Sequence, residues 1–143
     1  MARYLLFVLI VAVASLRVEA REVLAGPIDA EVLRVVDGDT IKVRAHIWVD
    51  QHVEVSVRFA DVDAPELYRP RCEAEKAQAR AARDLVQAVA GDRIRLRNVT
   101  LGKYAGRVVA AAETLGGEDL GQTLLRHGLA VRENDAAPWC AGA

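Results

Sequence analysis

The nine residues from Arg58 to Glu66, Arg-Phe-Ala-Asp-Val-Asp-Ala-Pro-Glu, carry one guanidinium and three carboxylates at the end of an apolar alternation. A strand that only fills a core has no use for such charge, because buried carboxylates must be paired or bound to a metal. Charge of both signs at a strand end describes a place for a cation and an anion together. A second acidic group, Asp37-Gly38-Asp39-Thr40, lies upstream across a hairpin. If the two groups share a rim, Asp39 and Asp63 are candidate ligands of one hard cation. Ca²⁺ takes six to eight oxygens at about 2.3–2.6 Å. Ala64 precedes a proline and is pushed towards an extended conformation, which would turn its carbonyl outward as a neutral ligand. No histidine or cysteine stands beside these carboxylates in the sequence, so zinc is disfavoured. The plainer alternative is that Asp37, Asp39 and Asp61 are turn formers.

Arg58 and Arg107 are the candidates for holding the anion, since a guanidinium offers a planar fork matched to phosphate oxygens. Glu66 is placed to orient water or to accept its proton. The alternatives are surface ion pairs for the arginines and a solvated carboxylate for Glu66. Arg58 and Asp63 lie an odd number of positions apart, so a straight strand would point them to opposite faces. They meet only if a bulge or bend intervenes.

The elements that must position these groups read as follows. Residues 28–36 form a first strand, followed by the Asp37-Gly38 turn. Residues 40–49 alternate as a second strand, with Ile41, Val43, Ala45 and Ile47 on one face and Lys42, Arg44 and His46 on the other. Asp50-Gln51 turns the chain into a third strand at 52–59. Residues 72–90 have helical spacing, with Ala74, Ala77, Ala81, Leu85, Ala88 and Val89 as the expected packing face and Gly91 as its stop. Residues 92–99 give a fourth strand whose alternation is imperfect, and 107–114 a fifth. A short helix is expected at 121–127, stopped by Gly128. From Arg132 onward no period is visible. Five short strands with one long helix after the third and a short helix after the fifth predict a mainly β, OB-type barrel. The order also admits an open α+β sheet.

The chain of 143 residues fits one domain. Residues 1–20 read as a signal peptide: Arg3 is the positive start, Leu5 to Leu16 the apolar run and Val18-Glu19-Ala20 the cleavage-like end. An uncleaved anchor is the alternative. Export to a periplasm or the extracellular space is the corresponding expectation, with residues 21–131 as the domain and 132–143 as a tail. Removing Arg3, Arg17 and Glu19 leaves 17 of the 19 basic and 19 of the 20 acidic residues, a net charge of −2. That excludes a broad basic footprint for gripping duplex DNA. Any nucleic-acid substrate must be held at one or two phosphates. In an exported chain the two cysteines, Cys72 and Cys140, suggest a disulfide, worth about 4 kcal/mol on the chain-entropy model; two free thiols are the other reading. His46, His52 and His127 show no ligand spacing. Trp48 and Trp139 read as packing residues.

Taken in order, Asp37-Gly38-Asp39-Thr40, Arg58 through Asp63-Ala64-Pro65-Glu66, and Lys103-Tyr104-Ala105-Gly106-Arg107 resemble the staphylococcal-nuclease (thermonuclease) family. The resemblance runs from about Val32 to Ala130. It implies an OB-type barrel and Ca²⁺-dependent hydrolysis of DNA and RNA phosphodiesters, leaving 3′-phosphate ends. It further implies Asp39, Asp63 and the Ala64 carbonyl as calcium ligands, and Arg58 and Arg107 as phosphate-binding arginines. Glu66 would be the carboxylate on the attacking water, and Lys103 and Tyr104 would stand near a terminal phosphate of the substrate. The expected partner is accessible or single-stranded nucleic acid, with the protein a monomer. Several features depart from the family. The hairpin from Asp39 to Arg58 is long, and Ala105 is an extra residue before Gly106-Arg107. No tyrosines follow the second helix, and residues 132–143 show no helical period. A catalytically inactive OB-type module that binds nucleic acid or protein is the alternative reading.

Overall fold

In the computed structural model, which describes residues 21–141, the alternating runs become the strands of a closed barrel. Strand β1 spans Ile28–Asp37, β2 Thr40–Trp48 and β3 Gln51–Phe59. A two-residue strand β4, Val62–Asp63, precedes helix α1 at Glu73–Ala90; β5 is Arg93–Leu101 and β6 Arg107–Thr114. Helix α2, Leu120–Arg126, leads to a short β7 at Val131–Arg132. Around the barrel the order is β1-β2-β3-β6-β5. All pairings are antiparallel except β3 with β6, which is parallel. The closed OB-type barrel is therefore the fold. The signal-peptide reading falls on residues 1–20, outside those described. Among the described residues no helix is long and apolar enough to cross a membrane.

Period-two patterning explains the interior. Ile41, Val43 and Ala45 of β2 and Val57 and Phe59 of β3 are buried, as are Ile94 and Leu96 of β5 and Ala110 and Ala112 of β6. Phe59 anchors this core, and truncating such a ring costs about 3–5 kcal/mol. The imperfect alternation in β5 has a local cause. Asn98 takes φ +52°, the register with β6 slips between Arg97 and Thr100, and the leader pairs there through Leu24 and Val99.

Two expectations need correction. Helix α1 lies where its spacing placed it, with Cys72 as N-cap and Gly91 at φ +64° after its last residue. Its buried stripe, however, is Glu75, Ala79, Ala82, Val86 and Ala90, while Ala74, Ala77, Ala81 and Ala88 are exposed. Alanines occur on both faces, so their spacing alone cannot choose one. Residues 132–141 are mostly exposed, as a tail would be, and the expected Cys72–Cys140 disulfide tethers them; β7 pairs with β4 at the start of this segment and Trp139 is buried near its end. Trp48, read as a packing residue, is 74% exposed at the tip of the β2–β3 hairpin, where the barrel offers it nothing to cover.

Candidate active site

The turn after β3 solves the parity problem. Ala60-Asp61 breaks the strand, and Asp61 sits at φ +62°, a left-handed conformation that aspartate tolerates better than most residues. The chain reverses enough for β4 to pair with β7 instead of continuing β3. Arg58 then reaches both Val62 O, at 3.4 Å, and Asp63 Oδ1, at 2.8 Å. Its other terminal nitrogen lies 2.8 Å from Asp39 Oδ2. One half-buried guanidinium thus bridges the two acidic groups that the sequence keeps apart.

Asp39 is held from every side. Its backbone carbonyl accepts from Phe59 N at 2.8 Å. Oδ1 accepts from Thr40 Oγ1 at 2.9 Å, and Oδ2 accepts from Ala64 N at 3.1 Å as well as from Arg58. The turn that carries it is clamped by close packing: a Cβ on Gly38 would stand 2.6 Å from Ala82 Cβ and 2.9 Å from Ala64 Cβ. Glycine is required here for room, and small Ala82 lets α1 approach the site. Burial opposes the Arg58 cation, but Asp39, Asp63 and Glu133 outweigh it and hold its proton affinity above the ordinary arginine value.

Asp37, read only as a turn former, is a residue the sequence reading missed. Its Oδ1 is buried with no hydrogen-bond partner. Burial, then the neighbouring Asp39 charge and more weakly Glu66, push its carboxyl up to about 7. Its place in an Asp-Gly-Asp turn was the available signal. Glu75 was missed too. Its carboxylate, buried in the first turn of α1, accepts from Glu66 N at 3.4 Å, from Arg71 N at 2.6 Å and from Arg71 Nε at 3.2 Å. It therefore ties down both ends of the 66–71 loop. Glu66 itself is exposed, and its Oε1 accepts from Tyr68 N at 3.2 Å.

Arg107 opens β6 opposite Ser56, two positions from the Val109 that faces Arg58, so both arginines project from the outer face of the barrel. Despite the extra Ala105, the turn closes tightly. Gly102 N donates to Arg107 O at 2.9 Å, Arg107 N to Tyr104 O at 3.2 Å, and Gly106 takes φ +75°. Arg58, Arg107, Lys103, Tyr104 and Glu133 line one cleft of about 390 Å³. The Tyr104 ring lies 5.8 Å from both the Arg107 guanidinium carbon and Lys103 Nζ. Among the described residues Arg107 makes no ion pair, which leaves its fork free for an anion.

The atoms that Arg58 contacts, Val62 O, Asp39 Oδ2 and Asp63 Oδ1, are all oxygens, and the unpartnered Asp37 Oδ1 beside buried Asp39 is the kind of atom a hard cation satisfies. Asp39 and Asp63 do not touch each other; they meet through Arg58. Among the described residues, three potential ligand atoms gather within 4.8 Å only at Cys72, Glu75 and Cys140. Those sulfurs are spent on the disulfide.

Comparison with protein families matches residues 56–138 to the model described as staphylococcal nuclease homologue. The match covers more than half of the chain and takes in Arg58, Asp63, Glu66 and the Lys103–Arg107 turn; the Asp37–Thr40 turn lies just upstream of it. Comparison with curated proteins gives no match.

Proposed function

The chain belongs to the staphylococcal nuclease homologue family, and from that premise we propose that it is an exported, Ca²⁺-dependent nuclease. It hydrolyses phosphodiester bonds of accessible DNA and RNA without strong sequence preference and leaves 3′-phosphate ends. The observation that carries this reading is the Arg58 guanidinium, paired with Asp39 and Asp63 and sharing a cleft with Arg107, which makes no ion pair among the described residues.

Asp39, Asp63 and the Ala64 carbonyl would hold the cation, with Asp37 beside them; when bound, Ca²⁺ supplies positive charge next to the scissile phosphate. The two guanidiniums hold phosphate oxygens and offset the charge that grows on them as the bond to the leaving oxygen breaks. Glu66, on the loop clamped by Glu75, takes the proton of the attacking water. Lys103 and Tyr104, at the lip of the cleft, receive a neighbouring phosphate. A cleft with one acidic wall residue, Glu133, on a chain of net charge −1, suits local gripping of a flexible strand better than duplex wrapping. A binding-only module has no use for Glu66 or for the loop clamp that holds it.

The test is digestion of denatured DNA. Activity is expected with Ca²⁺, is expected to vanish with a chelator, and is expected to fall by about 10²-fold or more in Arg58→Ala, Arg107→Ala and Glu66→Gln. A folded protein inactive at every Ca²⁺ concentration removes the proposal and leaves the binding module.

A further inference from the structure

Residues 21–27 precede the barrel, yet backbone contacts fix them to it. Leu24 bridges to Val99 in antiparallel fashion, donating from N to Val99 O at 2.9 Å and accepting from Val99 N at 2.8 Å. Ala25 O accepts from Asn98 N at 3.0 Å, and Gly26 lies so close to β5 that a Cβ there would collide with Leu96 O. The seat for this segment is the stretch where β5 slips its register with β6, between Arg97 and Thr100. A bulge leaves backbone groups without ladder partners, and the leader takes up those of Asn98 and Val99.

Traced backwards from Leu24, an antiparallel course follows β5 towards its end. It brings Arg21 to the lip formed by residues 100–103, and Arg21 lines the same cleft as Arg58, Lys103, Arg107 and Glu133. Nothing in the proposed hydrolysis uses Arg21, and it lies outside residues 56–138, which match the family.

The charge of the cleft is uneven. Arg58 is matched by Asp39 and Asp63. Among the described residues Arg21, Lys103 and Arg107 make no ion pair, and Glu133 is the only acidic residue in the lining. A chain of net charge −1 thus gathers a local excess of positive charge here, which concentrates anions. The volume, about 390 Å³, is that of a site for a ligand larger than one phosphate group. Arg21 is exposed, and its guanidinium offers phosphate a planar fork of donors. An exposed arginine can equally be a solvated charge, and salt dependence tells the two apart.

We infer that Arg21 positions the substrate strand: its guanidinium takes a phosphate beside the one that is cleaved, so the cleft favours oligonucleotides over an isolated diester. This rests on the proposed nuclease reading for the identity of the anion. The test is fluorescence anisotropy of a labelled thymidine octanucleotide with the purified full chain carrying Glu66→Gln, which leaves the strand uncut, in Ca²⁺ over a range of salt. Adding Arg21→Ala should weaken binding by about threefold or more at low salt and reduce the slope of log Kd against log salt by about 0.7, the value of one phosphate contact on a single strand. Arg21→Lys should restore the slope, and both variants should keep the wild-type Tm. With Glu66 intact, Arg21→Ala should raise KM for the octanucleotide about threefold with kcat within twofold. The loss should be smaller for the dinucleotide TpT, whose one phosphate is the one cleaved. Affinity and salt slope unmoved by Arg21→Ala overturn the inference and leave the nuclease reading standing. Failure of the Glu66→Gln chain with Arg21 intact to bind the octanucleotide removes both.

Discussion

Arg58 and Asp63 meet at 2.8 Å although a straight strand would send them to opposite faces, because Asp61 between them adopts φ +62°. The left-handed turn is thus what brings the Asp63 carboxylate back to the Arg58 guanidinium. Asp61→Ala is expected to cost about 1 kcal/mol in denaturant unfolding, since alanine resists this conformation, and to lower the cleavage rate as Arg58 loses its partner. Asp61→Gly should stay within about 0.5 kcal/mol of wild type and keep activity. Equal losses in both variants would mean that the aspartate side chain, not the backbone, is what matters.

Glu75 makes the acid limb of stability predictable. Burial alone would raise its carboxyl, but hydrogen bonds from the Arg71 backbone, the Arg71 guanidinium and the Glu66 backbone outweigh that and hold it below the ordinary glutamate value of 4.5. A lowered folded pKa contributes stability that is present above pH 4.5 and is lost as pH falls towards the folded value. Glu75→Gln should therefore be less stable than wild type near neutrality, by about 1–3 kcal/mol. The gap should narrow below pH 4.5. Urea titrations at several pH values check this, and a gap that widens in acid contradicts it.

Much of this molecule was legible in its sequence, and the failures share a cause. Alternation in β2 and β3 and the helical period of 73–90 reflect one-dimensional patterns, so the barrel and its inserted helix follow from them. The pairing of Asp39 with Arg58 was an expectation of proximity that the cross-strand register of Thr40 and Arg58 makes concrete. What could not be read depends on which neighbour arrives in three dimensions. The buried face of α1 depends on what it packs against, with Gly38 close against Ala82, and not on the alanine count. Glu75 looks like any acid at a helix start until the 66–71 loop folds over it. His46 and His52 have no motif spacing, and only the hairpin register sets them face to face.

Glu133 stands in the cleft with Arg58 and Arg107, where its charge opposes an incoming phosphate. Glu133→Gln is expected to lower KM for oligonucleotides by about 2–10-fold at low salt, with kcat little changed, because the contribution is to encounter and holding rather than to the reacting atoms. The advantage should shrink as added salt screens the cleft. A KM that is unmoved at low salt would place Glu133 outside the path of the strand.

The acidic turn offers a measurement that does not depend on cleavage. Asp37 keeps a buried oxygen without a partner next to Asp39, whose own charge Arg58 already meets, so the Asp37 carboxylate costs stability unless a cation answers it. A cation that binds only the folded protein stabilises it by about 2.7 kcal/mol at a hundred times its Kd. Saturating Ca²⁺ should therefore raise Tm of the wild type by several degrees, and a chelator should reverse it. Asp39→Asn and Asp63→Asn should abolish most of that increment. Asp37→Asn should do something different: it removes an uncompensated charge, so the chelated protein should melt higher than wild type while its response to Ca²⁺ shrinks. If Asp37→Asn instead melts lower in chelator, the carboxylate is satisfied without a cation and the acidic turn is a structural feature of the hairpin.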